Sequence, residues 1–132
     1  MAAADRPVVK ARPVYLNLVA IRQPLPAIVS ILHRLTGALL FVVGVPVLLW
    51  FLQRSLASPD AFEAAMRPFT SLLGKLVLLG LAWGYVYHLL AGIRHLALDL
   101  HLGIRLAPAR STAALLLVIS ALLLIVIAVR VW

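Results

Sequence analysis

Residues 76–93 read LVLLGLAWGYVYHLLAGI, and the fold turns on that stretch. No Asp, Glu, Lys or Arg interrupts it, and about 18 apolar residues is the length a helix needs to cross a hydrocarbon core. Working outward in both directions, 35–53 and 111–129 are equally free of those residues and of similar length. A backbone in lipid must satisfy its hydrogen bonds internally, and Leu/Val/Ala-rich segments without alternation do so as helices rather than barrel strands. The sequence therefore predicts an all-α integral membrane protein with three transmembrane helices.

The polar borders widen these cores to helices at about 27–53, 70–100 and 110–131, in a transmembrane domain 27–132 that follows a polar segment 1–26. Pro24 and Pro26 disfavour a regular helix before them, while Pro26 suits a first turn. Pro46 should kink the first helix near its middle. The 55–70 stretch, with Ser58, Pro59, Asp60, Glu63 and Pro68, reads as a short amphipathic surface connection.

The chain has 132 residues, 64% of them hydrophobic, with a formal charge of +8 and a mean hydropathy of +1.10. Its Lys and Arg lie mainly outside the apolar runs and form no basic cluster interleaved with aromatics, which argues against nucleic acid as a partner. They report topology instead. Arg6, Lys10, Arg12, Arg22 and Arg34, with Arg94, Arg105 and Arg110, fall on one side, and only Arg54, Arg67, Lys75 and Arg130 on the other. The positive-inside rule then puts the N-terminus in the cytoplasm and Trp132 outside, in a bacterium across the inner membrane. The first 26 residues lack the apolar core of a cleaved signal peptide and are expected to stay in the mature protein. With no cysteine, thiolate-ligated haem, c-type attachment, zinc-thiolate sites and iron–sulfur ligation within this chain are excluded.

Four histidines are the main candidates for metal ligation. His88 lies deep in the second helix between Gly84 and Gly92, a Gly-x-x-x-His-x-x-x-Gly face. Two readings are open: the glycines clear space for a flat macrocycle on His88, or they let two helices pack closely around a hydrogen-bonded histidine. His95 is two turns further on and about 10 Å along the axis, so the two cannot ligate one iron from opposite faces. A six-coordinate haem on His88 needs its second ligand from another helix. His33 and Arg34, early in the first helix, should lie level with Arg94, His95 and Asp99, above His88. His33, Arg34 and His95 can form a polar collar toward which haem propionates would point, whereas Arg94 is expected to snorkel to headgroups. Ser30 and Arg34 share a helix face and can hydrogen-bond a quinone carbonyl, or else the hydroxyl bonds its own backbone and the guanidinium a phosphate. Asp99, one turn after His95, can set its tautomer, relay a proton or form a surface ion pair. His101 receives no role.

At these residues the chain resembles the C-type cytochrome b membrane anchor of bacterial succinate dehydrogenases. The resemblance is carried by Arg12-Pro13-Val14 with Leu16-Asn17-Leu18, Ile21-Arg22-x-Pro24, Ser30-Ile31-Leu32-His33-Arg34-x-Thr36-Gly37, and Tyr87-His88-x-x-x-Gly92-Ile93-Arg94-His95 with Asp99. It implies that His88 is one axial ligand of haem b, and that a D-type anchor subunit supplies the other ligand and the rest of a heterodimeric bundle. Ser30 and Arg34 would bind quinone together with the D-type and iron–sulfur subunits. Arg34, and with less direct implication His33 and His95, would contact the propionates. FAD and the iron–sulfur clusters would sit on the flavoprotein and iron–sulfur subunits, since this chain has neither a dinucleotide fingerprint nor cluster ligands. Two other classes compete: a structural or assembly subunit with no redox group, and a small transporter, for which only His88 is a helix-interior ionisable group and no discontinuous repeat is visible.

Overall fold

The computed structural model describes Asn17 and residues 20–132, and these are helical almost throughout. Arg6, Lys10 and Arg12, most of the 1–26 segment, and the motif positions 12–14, Leu16 and Leu18 lie outside the described residues. Three helices are long and apolar enough to cross a membrane: α1 (Leu25–Ala57), α3 (Leu72–Asp99) and α4 (Leu106–Val131). A short helix, α2 (Pro59–Thr70), joins the first two.

Helix α1 starts at Leu25 with Pro26 in its first turn, where the missing N–H is no loss. Its 33 residues correspond to about 50 Å, more than the roughly 30 Å hydrocarbon core needs. The disturbance expected at Pro46 takes a specific form. Leu40–Gly44 is a π-helical turn, and the Val45 N–H bonds Leu40 O, five residues back. Pro46 has no N–H to offer Val42, and its ring would crowd that carbonyl; widening the preceding turn relieves both problems.

The amphipathic connection read at 55–70 takes the form of a helix, α2, over most of its length. Ser58 caps α2 by accepting the Ala61 N–H at 3.1 Å, Pro59 follows in the first turn, and Asp60 complements the helix dipole. Phe62 and Phe69 of α2 meet Phe51 of α1 edge-on, with centroids 5.9 and 6.3 Å apart, which lays α2 back against α1. Ser71 then caps α3 through the Gly74 N–H at 3.1 Å. The corner is so tight that a Cβ at Gly74 would overlap the Pro68 carbonyl.

At its other end α3 stops in a Schellman turn: Leu102 N–H bonds Ala97 O and His101 N–H bonds Leu98 O, both at 2.9 Å. His101 sits in the left-handed region (φ 60°), the position glycine commonly fills, and Gly103 follows at φ 75°. Helix α4 returns across the molecule and ends with Lys75 Nζ of α3 5.2 Å from the centre of the Trp132 ring.

The packed core is small and lies where the start of α1, the second half of α3 and the start of α4 meet. It consists of Val29, Tyr87, Ala91, Ala113 and Leu116, flanked by Leu25, Leu32, Trp83, Leu90 and Leu117. Elsewhere the apolar side chains point outward: Phe41 is 73% and Leu48 64% exposed. Helices apolar on their outer faces require hydrocarbon or another apolar protein around them. Between α1, α2 and α3 an apolar groove of about 680 Å³ opens, lined among others by Leu40, Gly44, Phe51, Phe69, Tyr85 and His88.

Candidate functional site

The site forms on the antiparallel contact between α1 and α3. Gly37 lies opposite His88, His33 opposite Gly92, and Leu40 opposite Gly84. The whole Gly84–His88–Gly92 face is thus turned to α1, and in this chain it is a helix contact. A Cβ at Gly84 would come no closer than 4.0 Å to Leu40, and one at Gly92 3.8 Å from His33, so both positions keep some spare room.

Gly37 is different. A Cβ there would lie 2.8 Å from His88 Cε1, closer than side chains tolerate. The imidazole can lie against α1 only because Gly37 has no side chain. His88 Nδ1 is 3.1 Å from the backbone carbonyl of His33 and 3.3 Å from Thr36 Oγ1. A carbonyl only accepts, so Nδ1 carries the proton. Thr36, itself buried, gives its hydroxyl proton to Leu32 O or His33 O at 2.9 and 3.0 Å and turns a lone pair to the ring. The Nε2 lone pair of His88 is then left without a hydrogen-bond partner among the described residues, and the side chain borders the apolar groove.

This arrangement fits what a metal-ligating histidine asks of its other ring nitrogen. A ligating imidazole donates its other N–H to a carbonyl or carboxylate, which fixes the tautomer and raises the basicity of the ligating nitrogen. His88 is held that way by α1. Adjacent to it, Tyr87, fully buried, donates its hydroxyl to Val29 O at 2.9 Å.

His33 stacks between two other histidines, its centroid 4.3 Å from His88 at 31° and 6.1 Å from His95 at 41°. Stacked rings aim their nitrogens out from their edges, so His33 and His88 cannot clasp one iron between them. Nor do three His, Asp or Glu residues converge on a bare metal ion among the described residues. The expected collar is partly assembled: His33 and His95 come together, whereas Arg34 is exposed and has no hydrogen bond or ion pair among the described residues.

Ser30 stands apart from the other helical hydroxyls. Thr36, Ser55, Thr70, Ser111, Thr112 and Ser120 all bond a carbonyl three or four residues back, as the backbone-bonding alternative for Ser30 requires. Ser30 makes no such bond among the described residues, so its hydroxyl and the Arg34 guanidinium one turn on are open donors.

Arg94, expected to reach for headgroups, bonds within the chain. Its Nε donates to Thr112 Oγ1 at 3.2 Å and its Nη2 to Ala109 O at 3.1 Å, tying the end of α3 to the start of α4. Asp99 is exposed at the last turn of α3 and forms no ion pair with His95. Sequence reasoning had Thr36, Gly37 and Tyr87 only as motif positions without a role of their own, and missed the structural use of His101. Gly37 was detectable in principle, since it follows His33 by one turn and must share its face.

Residues 9–127 match the family of succinate dehydrogenase/fumarate reductase transmembrane subunits. The chain is 39% identical over 112 residues to a succinate dehydrogenase cytochrome b556 subunit of Paracoccus denitrificans, covering 85% of each chain. It is 32% identical over 125 residues to the subunit of that name from Coxiella burnetii, covering 92% of this chain and 97% of the relative. A Rickettsia prowazekii subunit of the same name is 32% identical over 112 residues. The three spanning helices are thus those of a membrane subunit of an oxidoreductase complex. This chain belongs to the succinate dehydrogenase/fumarate reductase transmembrane subunit family.

Proposed function

We propose that the chain is the C-type anchor of a succinate:quinone oxidoreductase, supplying one axial ligand to a b-type haem and part of a quinone-reduction site. The observation that carries this reading is His88, its Nδ1 proton committed to the His33 carbonyl and its Nε2 lone pair left for a metal. The relatives' names, cytochrome b556 subunits, support haem b as the group it would hold. When bound, the haem supplies a one-electron store within the membrane. Gly37 gives the imidazole its place and Thr36 with His33 holds its tautomer. His33 and His95 lie together toward the end of α3, where propionates would be received, and Gly84 and Gly92 let α1 lie close on either side of the ring.

Ser30 and Arg34 act on quinone. The hydroxyl donates to a carbonyl oxygen, and the guanidinium, always charged, stabilises the negative charge that oxygen gains on reduction. Asp99, at the exposed end of α3, is placed to exchange protons with water. The succinate chemistry, with FAD and the iron–sulfur clusters, belongs to the flavoprotein and iron–sulfur subunits. A D-type subunit covers the outward apolar surface of this half-bundle and brings the second haem ligand. The charge distribution supports an inner-membrane orientation with the start of α1 in the cytoplasm and Trp132 in the periplasm.

The test is a pair of variants in the purified complex. His88→Ala should abolish the low-spin b-type spectrum; an unaltered spectrum removes His88 from its role. Arg34→Ala should lower succinate:quinone activity at least tenfold, about the worth of a lost charge-assisted hydrogen bond, and spare electron transfer to a soluble acceptor. Equal loss of both activities would indicate failed assembly, and a wild-type complex without haem would favour the purely structural reading.

A further inference from the structure

We infer that Tyr87 is a positioning residue for quinone, holding Ser30 and Arg34 in place through the backbone of α1. The inference rests on the quinone role proposed for those two residues. Two consecutive residues of α3 reach across to α1, and each donates to a main-chain carbonyl: Tyr87 to Val29 O at 2.9 Å, His88 to His33 O at 3.1 Å. The two carbonyls are four residues apart, hence stacked on one face of α1 about 6 Å apart along its axis. A single such bond leaves a helix free to tilt or turn about it. Two on one column fix both the axial position of α1 and its rotation, and a rotation by one residue would carry a side chain through about 100°.

Ser30 follows the first anchored carbonyl directly, and Arg34 follows the second. Their headings are therefore set by this pair of bonds, since neither side chain has a tether of its own among the described residues. Ser30 in particular lacks the backbone bond that holds the other helical hydroxyls. The surroundings of Tyr87 suit a strut: the residue is 0% and Val29 1% exposed, and Trp83 packs on its ring with centroids 5.5 Å apart.

The hydroxyl can be removed cleanly. Within α1 the Val29 carbonyl keeps its helical partner, so Tyr87→Phe leaves no buried polar atom orphaned and retains the aromatic packing. A residue that only filled the core would be indifferent to this change. As a strut, it should raise the KM for a short-chain ubiquinone about three- to tenfold, the worth of one ordinary hydrogen bond, while succinate oxidation by a soluble acceptor and the haem spectrum stay as in the wild type.

Ser30→Ala and Arg34→Ala are assayed beside it. An unchanged quinone KM in Tyr87→Phe, with a raised KM in Ser30→Ala or Arg34→Ala, overturns the strut and leaves the quinone site standing. If all three keep the wild-type KM, the quinone reading itself falls, and this inference with it. A parallel fall of both activities at constant KM marks a purely structural residue and also overturns the strut. KM does not depend on how much complex assembles, so reduced yield leaves the measurement decisive.

Discussion

At the scale of single residues, the site depends on what is missing as much as on what is present. The His88 ring occupies the volume a side chain at residue 37 would take, with only 2.8 Å between Cε1 and the position of a Cβ. Gly37→Ala should therefore displace the ring or α1 and lower the haem content of the purified complex, measured as pyridine haemochrome per protein. Alanine is the better helix former by about 1 kcal/mol, so such a loss would come from the contact and not from propensity. Thr36→Val tests the other side of the ring. It removes one of two acceptors facing Nδ1, leaves the His33 carbonyl, and should preserve the haem while raising its midpoint potential, because a less basic imidazole stabilises ferric iron less. A potentiometric titration showing no change would remove Thr36 from that role. His88 was legible in the sequence because a lone imidazole deep in an apolar run stands out. Gly37 and Thr36 were not, since their importance comes from the register of α1 against α3, which neither helix encodes by itself.

At the scale of elements, the spans were legible from charge and length, and the corners were not. Hydropathy finds where a chain enters lipid, but α2 is an ordinary capped amphipathic helix of 12 residues, and its seat on α1 comes from Phe62 and Phe69 meeting Phe51. The proline effect was legible in position and not in form, because the same loss of an N–H can be met by a bend or by a wider turn. The reach of Arg94 to α4 was hidden for a similar reason: a cation at a membrane border has lipid phosphate as an alternative partner everywhere. Two glycines of α3 make a matched test of the corner. Gly74→Ala drives a methyl into the Pro68 carbonyl and should destabilise the complex by about 1–3 kcal/mol, whereas Gly80→Ala meets nothing within 4 Å and should be neutral or stabilising by roughly 0.5–1 kcal/mol. Thermal midpoints in detergent should move in opposite directions, or only the first should move. A common downward shift would mean the corner is not what constrains residue 74.

Across the whole molecule, the core is confined to one end, and most apolar area faces outward, as suits a chain whose surroundings complete it. The absence of cysteine makes its disposition easy to measure. A cysteine replacing Ser58, between α1 and α2, should react with a membrane-impermeant maleimide on cells whose outer membrane alone is opened. One replacing Leu102, between α3 and α4, should react only after the inner membrane is broken. The reverse pattern would invert the orientation read from the arginines and lysines.

The two carbonyls of α1 that receive Tyr87 and His88 carry a consequence for how this chain can vary. A carbonyl is there whichever amino acid bears it, so these two hydrogen bonds need no particular side chain at positions 29 and 33, although Val29 fills the core beside Tyr87 and His33 stacks on His88. What it cannot survive is a change in count. Deleting or inserting one residue between the two positions would move one acceptor off its column while leaving the composition, hydropathy and charge of the helix almost as they were. The two hydrogen bonds should therefore be strict about the length of this segment, whatever its packing demands of individual side chains.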